Sequence, residues 1–464
     1  MLELGPEVID WIARVTEGDE VETQLVTSGG RLGYRVDVKR KGEGLALFLQ
    51  RGREAGFGSF SPLTREAEVF RALETLGVKV AHVWGVDGDL NVLLSDRLDG
   101  ITWFQEPADK DAQVKIAQDF IVQIARWHST PAADMDLPSF KPVRTVAEHQ
   151  AEQLKGIRQL FEAEDAKNPI DLLARVTLEH LERKVPAYDG PAVLCQGDTG
   201  PGNFLYKGDQ VAGVVDWELA HLGDPMDDIA WLSWRSTQHG FPDFPARMRE
   251  YEQLSGIQVV PERVYYDRVN ACARLGPWFG LADMGEPGRY RPGAAQEGEP
   301  NDRVADGSQM LMSMLHRRMR LQALADVLGF EIPSRYITEE DQPRDHAQLY
   351  DNVLHQLQIM VPMIADRKAS ALAKGVARQV KYLKEIDRNA HRFERLEAET
   401  LSGLLGATPA SVAGGRKALS EAARNGKVSL EAYFLYHWNR MARDDHMMRE
   451  ASGRMYQRSW PALV

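Results

Sequence analysis

The stretch at residues 191–231, PAVLCQGDTGPGNFLYKGDQVAGVVDWELAHLGDPMDDIAW, constrains the fold more than any other, because it concentrates acidic and amide side chains between short apolar runs. The sequence TGPG at 199–202 predicts a tight loop after the first run. Two further apolar runs, at 204–206 and 211–215, are separated by the turn sequence KGDQ and predict a β-hairpin. The rest of the chain must fold around this loop and hairpin.

Three polar residues occupy the ends of these predicted elements. Asp198 precedes the loop, Asn203 follows it, and Asp216 ends the second strand. Carboxylate and amide oxygens suit magnesium bound to nucleotide phosphates, while a separate carboxylate can orient an attacking hydroxyl and accept its proton. Each residue alone is explained as well by a local turn or a helix cap. The ordered set with these spacings instead favours a kinase site.

The sequences QGDTGPGNFLY and VVDWELAHLGDPMDDIAW resemble the catalytic and metal-binding segment of the aminoglycoside phosphotransferase family, in its acyl-CoA-dehydrogenase-associated branch of small-molecule kinases. The resemblance implies that Asp198 is the catalytic base and that Asn203 and Asp216 bind magnesium. It also implies that Asp228 braces the catalytic loop. Gln196 departs from the pattern, since the family has His there. That His is a support residue, so we expect altered hydrogen bonds without loss of activity.

Residues before this stretch match positions that the same family uses for nucleotide phosphates. Strand-like runs flank Gly29 and Gly30, where the family has a longer glycine loop, although a Gly pair is also typical of an ordinary hairpin. Arg51 ends the next strand, where kinase-like folds place a basic residue on the ATP phosphates, although strand-end arginines are often merely solvated. Glu66 matches the family position that pairs with this basic residue, and the helix dipole alone would also favour it.

A hinge for the adenine base is indicated farther along the chain. Two strand-like runs joined by DGD at 87–89 predict a hairpin, and SDRLDG follows it. This exit resembles the kinase hinge, whose backbone hydrogen-bonds adenine. The residues concerned are Asp96, Arg97 and Leu98.

Composition and charge narrow the remaining function classes. A net charge of −12 argues against general binding to nucleic acid or to anionic membranes. No apolar run is long enough to span a bilayer and the first residues do not resemble a signal peptide, so we expect a cytoplasmic protein. Cys195 and Cys272, the two cysteines, are too few for a disulfide framework or a structural zinc site.

The order of predicted elements indicates the fold class. Strand-like runs dominate before residue 98, and amphipathic helical patterns dominate from 111 to 328. Together with the resemblance, this order predicts an α+β, bilobal protein-kinase-like fold with a β-rich N-lobe and a helical C-lobe. We expect a nucleotide-binding lobe at 1–98, a catalytic lobe at 99–332 and a C-terminal helical bundle at 340–464.

Two segments lie outside the kinase resemblance or interrupt it. Residues 280–307 are Gly- and Pro-rich and polar, which is typical of a disordered segment or of an active-site lid. The C-terminal helices have no catalytic signature and offer a surface for a protein partner or for self-association. They form either a separate bundle, which the prolines at 333 and 343 favour, or a cover over the apolar back of the second lobe.

The leading hypothesis is an ATP- and magnesium-dependent phosphotransferase that acts on the hydroxyl of a small molecule, namely an alcohol, a hydroxy acid or a phenol. The alternative is a nucleotide-binding pseudokinase that serves as a partner or regulatory module. A short glycine loop, Gln196 and the additional helices motivate this alternative. Joint retention of Asp198, Asn203 and Asp216 argues against it, because a pure scaffold has no need of all three.

Overall fold

The computed structural model describes residues 3–28, 31–52, 61–102, 109–165, 170–275, 308–338 and 346–464. Gly29, Gly30 and the polar stretch at 280–307 therefore lie outside the described residues. The chain divides into two compact units. One unit combines Met1–Gln153, Pro186–Asp267 and Trp460–Val464, and the other combines Leu154–Val185 with Arg268–Ser459.

The first unit begins with a helix and an antiparallel sheet, comprising α1 (Pro6–Thr16), β1 (Glu20–Ser28), β2 (Leu32–Arg40), β3 (Glu43–Arg51), β4 (Val83–Asp87) and β5 (Val92–Asp96). The strand order is β1-β2-β3-β5-β4. Alternation along β2 and β3 places Val36, Val38, Leu47 and Leu49 in one apolar cluster with Trp11 of α1. Helix α1 is not among the elements that the sequence predicted.

Helices and short strands complete the first unit. The helices are α2 (Leu63–Thr75), α3 (Lys110–His128), the start of α4 (Val146–Asp165), α6 (Pro225–His239), α7 (Phe244–Ser255) and the start of α8 (Pro261–Arg274). The strands are β6 (Val193–Cys195), β7 (Phe204–Lys207), β8 (Gln210–Val214) and β9 (His221–Gly223). Strands β7 and β8 form the predicted hairpin, and β6 pairs with β9. A core around Phe120, Trp127 and Trp217 supports both pairs.

The second unit is helical. Besides the ends of α4 and α8, it contains α5 (Leu172–Arg183), α9 (Ser308–Leu328), α10 (Ala347–Met360), α11 (Arg367–Leu405), α12 (Val412–Arg424), α13 (Leu430–Met447) and α14 (Arg449–Ser452). One apolar cluster joins Leu173 of α5 and Leu321 of α9 with Leu401, Leu419 and Phe434 of the C-terminal helices. Within the described part of the chain, no helix is long and apolar enough to cross a bilayer.

The fold class agrees with the prediction, because a β-rich N-terminal region precedes a helical part and additional C-terminal helices follow. The compact units, however, divide the chain at different residues from the three predicted domains. The reason is the shared core of the second unit: helices on both sides of residue 340 contribute to it. The change in sequence composition at 333–343 does not show that the helices on its two sides share a core.

Candidate active site

One buried carboxylate binds the backbone of the loop between β6 and β7. Asp228, in the first turn of α6, accepts the backbone N–H groups of Gln196 at 2.9 Å and Gly197 at 3.0 Å. His128 Nε2 and Trp127 Nε1 lie 3.1 and 3.3 Å from the same carboxylate. Burial raises the pKa of Asp228, but hydrogen bonds led by that from His128 outweigh it, so this pKa lies below its usual value. Asp228 thus braces the loop, as the resemblance implied.

Glycines let this loop approach its neighbours closely. Gly197 has φ of 81°, and a Cβ there would lie 2.6 Å from the carbonyl oxygen of Leu219. Gly200 has φ of 141°, and a Cβ there would lie 2.5 Å from Cβ of Arg235. Any larger residue at either position would push the loop away from its supports. The two glycines therefore fix where Asp198 lies.

Asp198 and Asn203, at the two ends of the loop, contact each other directly. Asn203 Nδ2 donates to the backbone oxygen of Asp198 at 2.7 Å and to its Oδ2 at 2.9 Å. Asn203 is buried, and these contacts occupy its amide hydrogens. The amide oxygen of Asn203 is therefore the atom that it can offer to a cation.

A guanidinium group that the sequence reasoning missed also binds Asp198. Arg235 on α6 donates from Nε to Asp198 Oδ1 at 2.8 Å and from Nη2 to Oδ2. Arg235 follows Asp228 by about two helical turns, which places both residues on the same face of α6. This spacing from Asp228 is the sequence feature from which Arg235 could have been predicted. The bidentate pair fixes the orientation of the Asp198 carboxylate.

Asp216 follows β8 in a backbone conformation that disfavours most residues. Its φ is 65°, in the left-handed region, which costs a non-glycine residue about 1–2 kcal/mol. Solvent reaches the Asp216 side chain, but protein groups crowd around it and limit its hydration. This desolvation, followed by the charges of Asp198 and Glu66, raises the pKa of Asp216 to about 6. Backbone strain and a perturbed carboxyl are both common at functional sites.

Four carboxylates and two guanidinium groups meet around these residues. Glu218 lies near Asp216, and desolvation followed by the Asp216 charge raises its pKa to about 7. Asp198 pairs with Arg235, whereas Glu66 and Glu218 pair with Arg31. Because acidic groups outnumber basic ones and repel each other, the residues fit a divalent cation that would relieve the repulsion.

Glu66 lies on α2, as predicted, but its partner is a different arginine from the one expected. Its side chain is 1% exposed and forms an ion pair with Arg31, which immediately precedes β2. The side chain of Gln50 of β3 lies close enough to Glu66 to oppose the rise in its pKa that burial causes, and no ion pair joins Glu66 to Arg51 among the described residues. Successive side chains of a strand point to opposite faces, so Gln50 and Arg51 cannot both face Glu66. The expected pairing of Arg51 with Glu66 is therefore wrong.

The backbone around the predicted hinge narrows the choice of adenine-binding residue. Asp96 N–H donates to the His82 oxygen at 2.9 Å, and Arg97 N–H donates to the Ala46 oxygen at 3.0 Å. The side chain of Asp96 accepts from Trp84 Nε1 at 2.7 Å. Within the described segments, no backbone acceptor lies opposite the Leu98 N–H. Leu98 is thus the one of the three with a backbone donor left for a base.

Gln196 links the loop to the strand that carries Asp216. Its side-chain Nε2 donates to the Val215 oxygen at 2.6 Å, while its backbone N–H binds Asp228. Its Oε1 is buried and has no hydrogen-bond partner in the described part of the chain. Gln196 therefore ties the loop to the backbone next to Asp216.

His128, Cys195 and Asp228 form a buried trio whose ligand atoms lie within 4.8 Å of one another. Their hydrogen bonds explain the arrangement without a metal. His128 Nδ1 lies 2.9 Å from the Tyr251 hydroxyl, and Asp228 already accepts several N–H groups. Burial raises the pKa of Cys195 well above its usual value, which keeps the thiol protonated. The trio supports the loop from within the core.

Several solved structures are similar to this chain at low sequence identity. Choline kinase LicA from Streptococcus pneumoniae is 14% identical, with 69% of this chain and 98% of that chain covered and a TM-score of 0.45. Macrolide 2'-phosphotransferase MphH from Brachybacterium faecium is 18% identical, with 59% and 91% covered and a TM-score of 0.41. Aminoglycoside phosphotransferase APH(3'')-Id from Streptomyces rimosus is 16% identical, with 57% and 98% covered and a TM-score of 0.40.

The family assignment rests on the sequence itself. The model of the phosphotransferase enzyme family, APH, matches residues 26–264, which is more than half of the chain. The match includes the loop, the hairpin, Asp228 and Arg235. It also includes Arg31 and Glu66. The chain belongs to the phosphotransferase enzyme family and is a kinase-type phosphotransferase.

Proposed function

We propose that the protein transfers the terminal phosphoryl group of ATP, with magnesium, to a hydroxyl group of a small molecule. The observation that carries the proposal is the grouping of Asp198, Asn203 and Asp216. Asn203 contacts Asp198 directly, and the Asp198 charge acts on Asp216. These are the carboxylate and amide groups that in-line phosphoryl transfer requires, and they lie on one loop and one hairpin of a family member.

Asn203 and Asp216 are the proposed magnesium ligands. Each has an oxygen to offer, and the negative charges of Asp198 and Glu66, which after desolvation raise the pKa of Asp216, are charges that a divalent cation would neutralise. Magnesium, when bound, would draw charge from the transferring phosphoryl group. Leu98 is the proposed backbone donor to the adenine base, since Asp96 and Arg97 use their N–H groups within the sheet.

Asp198 is the proposed base, and its surroundings indicate how it acts. Arg235 and Asn203 fix the carboxylate from two directions. Because two neighbours hold the carboxylate in place, its main contribution is to hold the acceptor hydroxyl in line with the phosphoryl group. The proton of the hydroxyl moves to Asp198 as the new O–P bond forms and the bond between the phosphoryl group and the leaving ADP breaks.

The acceptor is proposed to be an alcohol, a hydroxy acid or a phenol. Similar structures include a choline kinase and a macrolide 2'-phosphotransferase, which widens the set of hydroxyl compounds to test. A suitable panel combines hydroxy acids, phenols, amino alcohols and amino sugars. Formation of ADP is measured for each compound with magnesium and with EDTA.

Two variants make this experiment specific. Asp198→Asn should lower acceptor-dependent ADP formation by about two to four orders of magnitude while magnesium-ATP still binds. Asp209→Asn, in the exposed turn between β7 and β8, is the matched control and should behave as wild type. Acceptor-dependent turnover by Asp198→Asn at the wild-type rate would contradict the role of Asp198.

The pairing of Asp198 with Arg235 also gives the pseudokinase hypothesis a specific basis, because an arginine occupies both oxygens of the proposed base. Under that hypothesis the protein binds magnesium-ATP and transfers phosphate to no acceptor in the panel. Acceptor-dependent turnover by the wild type discriminates between the hypotheses. If turnover is found, Arg235→Gln should lower it by loosening Asp198.

A further inference from the structure

We propose that Arg31 is the residue that binds the nucleotide phosphates, in place of a basic residue on β3. The inference rests on the proposed function, since it assigns one more residue to the ATP site. It follows from the ion pair of Glu66, from the identity of Gln50 and from the donors that Arg31 keeps.

Because Glu66 is buried, its carboxylate needs a cationic partner. A carboxylate that is 1% exposed needs a partner to remain charged, and removal from water costs it several kcal/mol otherwise. Arg31, which is itself only 10% exposed, is that partner. Helix α2 therefore binds a guanidinium that comes from the residue directly before β2.

Strand β3 offers no charge on the face that contacts Glu66. Gln50 is the β3 residue whose side chain reaches Glu66, and it is neutral. Arg51 pairs through its backbone with Leu32 and Val92, and by alternation its side chain leaves the opposite face of the strand. Arg31 lies beside Leu32, at the same end of the sheet. The positive charge that Gln50 lacks is thus supplied by Arg31, directly before the neighbouring strand β2.

Arg31 is held in a defined orientation among the groups of the site. Its Nη1 binds Glu66, its Nη2 donates to the Ser61 oxygen at 2.8 Å, and its Nε lies 3.7 Å from Glu218 Oε2. Glu218 comes directly after Trp217 and close to Asp216, the proposed magnesium ligand. The positive charge of Arg31 is strong enough there to oppose the rise in the pKa of Asp216 and Glu218.

The guanidinium retains hydrogen-bond donors for a ligand. Arginine has five N–H groups, and the contacts to Glu66 and Ser61 use one on each terminal nitrogen. The remaining donors suit a polyphosphate, because a planar guanidinium binds phosphate oxygens in a bidentate manner.

The test separates phosphate binding from support of Glu66. Magnesium-ATP binding is measured by calorimetry for wild type, Arg31→Gln and Arg31→Gln combined with Glu66→Gln. We expect both variants to bind about tenfold or more weakly, because a charge-assisted contact to phosphate is lost in each. The double variant carries no unpaired buried carboxylate, so it folds even if Arg31→Gln alone does not. Arg35→Gln, on the exposed face of β2, is the matched control and should bind as wild type.

Relocation of the charge gives a second readout. Arg31→Gln combined with Gln50→Arg restores a cation within reach of Glu66, and we expect it to recover most of the lost affinity. Wild-type affinity in the double variant Arg31→Gln, Glu66→Gln would overturn the assignment, because Arg31 would then serve Glu66 alone. Loss of binding in Arg51→Gln but not in Arg31→Gln would overturn it as well. A wild-type protein that binds no magnesium-ATP would contradict the proposed function itself.

Discussion

At the scale of single residues, the site contains groups whose backbone conformation or burial costs free energy. Asp216 adopts left-handed backbone and lies among other acids, and the buried Glu66 depends on Arg31 for its charge. A fold retains such residues when they bind something that offsets the cost. Spacing in the sequence predicted Asp198, Asn203 and Asp216 as site residues, and the family resemblance added Glu66.

The partners of those residues were harder to identify. The Arg31–Glu66 pair joins residues far apart in sequence, and it depends on which face of β3 turns toward α2. Strand alternation determines which side chains of β3 face α2 only when the register of the sheet is known. Without the register, the charge of Arg51 made it the expected partner of Glu66, although its neighbour Gln50 lies on that face. Arg235, by contrast, could have been found from its helical spacing to Asp228.

Substitution of Asp216 should separate stability from binding. Asp216→Ala and Asp216→Gly both remove a carboxylate from an acidic cluster, so we expect magnesium-dependent nucleotide binding to be lost in both. Glycine tolerates a φ of 65° and alanine does not, so the Gly variant should be more stable than the Ala variant by about 1 kcal/mol. Denaturant unfolding and calorimetric titration measure the two quantities. Unchanged magnesium-ATP affinity in either variant would remove Asp216 from the site.

Gln196 offers a test of how the loop is joined to β8. Gln196→His can donate a ring N–H to the Val215 oxygen, so we expect activity within about threefold of wild type. Gln196→Leu leaves that partly buried oxygen without its donor, and should destabilise the fold by about 1 kcal/mol and lower the activity. Thermal unfolding and turnover are compared for the pair. If Gln196→Leu matches wild type in both, the bond to Val215 does not position the site.

At the scale of elements, periodicity predicted most helices and the β7–β8 hairpin, because their apolar faces are regular and their ends carry turn residues. Two features escaped it. Helix α1 buries Val8, Trp11 and Ile12 against the sheet, although its sequence was considered only for its lack of resemblance to a signal peptide. Strands β6 and β9 are too short for a period to show, and tertiary packing alone specifies their pairing.

Glu397 binds side chains of two other helices of the second unit, and its ionisation predicts that the stability of this unit depends on pH. Arg416 of α12 binds it through two nitrogens at 2.8 and 2.9 Å, and the Tyr436 hydroxyl of α13 donates to it at 2.7 Å. Burial opposes ionisation, yet these bonds lower the pKa of Glu397 to about 2. A carboxyl whose pKa is lowered by folding stabilises the protein above its unfolded pKa, near 4.5, and this contribution is lost as the pH falls toward 2.

We therefore expect Glu397→Gln to reduce the free energy of unfolding by about 2 kcal/mol at pH 7, and by progressively less below pH 4.5. Urea unfolding of the second unit at several pH values measures the difference. Glu399→Gln, an exposed neighbour on α11, is the control and should change little. A penalty for Glu397→Gln that is equal at pH 7 and pH 3 would mean that the ion pair does not supply the stability.

At the scale of the whole molecule, chain order and family resemblance were sufficient for the fold class but not for the division into units. Residues 154–185 belong to the second unit although they precede the active-site loop. Sequence composition marks flexible connections, whereas a compact unit is defined by which apolar faces share a core. Leu173 and Leu321 show this, since both join the cluster of the C-terminal helices.

The shared core predicts the result of truncation. A chain that ends near residue 340 loses α10–α14, and the side chains of α9 that face them, including Leu311, Leu321 and Leu324, would be exposed. It would also leave Arg317 and Arg318 without Asp444 and Asp445. Exposed apolar surface and unpaired buried charges both favour aggregation, so we expect the truncated protein to be insoluble.

Limited proteolysis of the intact protein tests the same point without relying on expression. If a protease cuts within 333–343, the two fragments should still co-elute in gel filtration, because the cluster of Leu173, Leu321 and Phe434 spans the cut. Urea should then separate them in the same transition that unfolds the second unit. Fragments that separate under native conditions, together with a soluble truncated protein, would instead mean that residues 340–464 form the independent bundle that the sequence favoured.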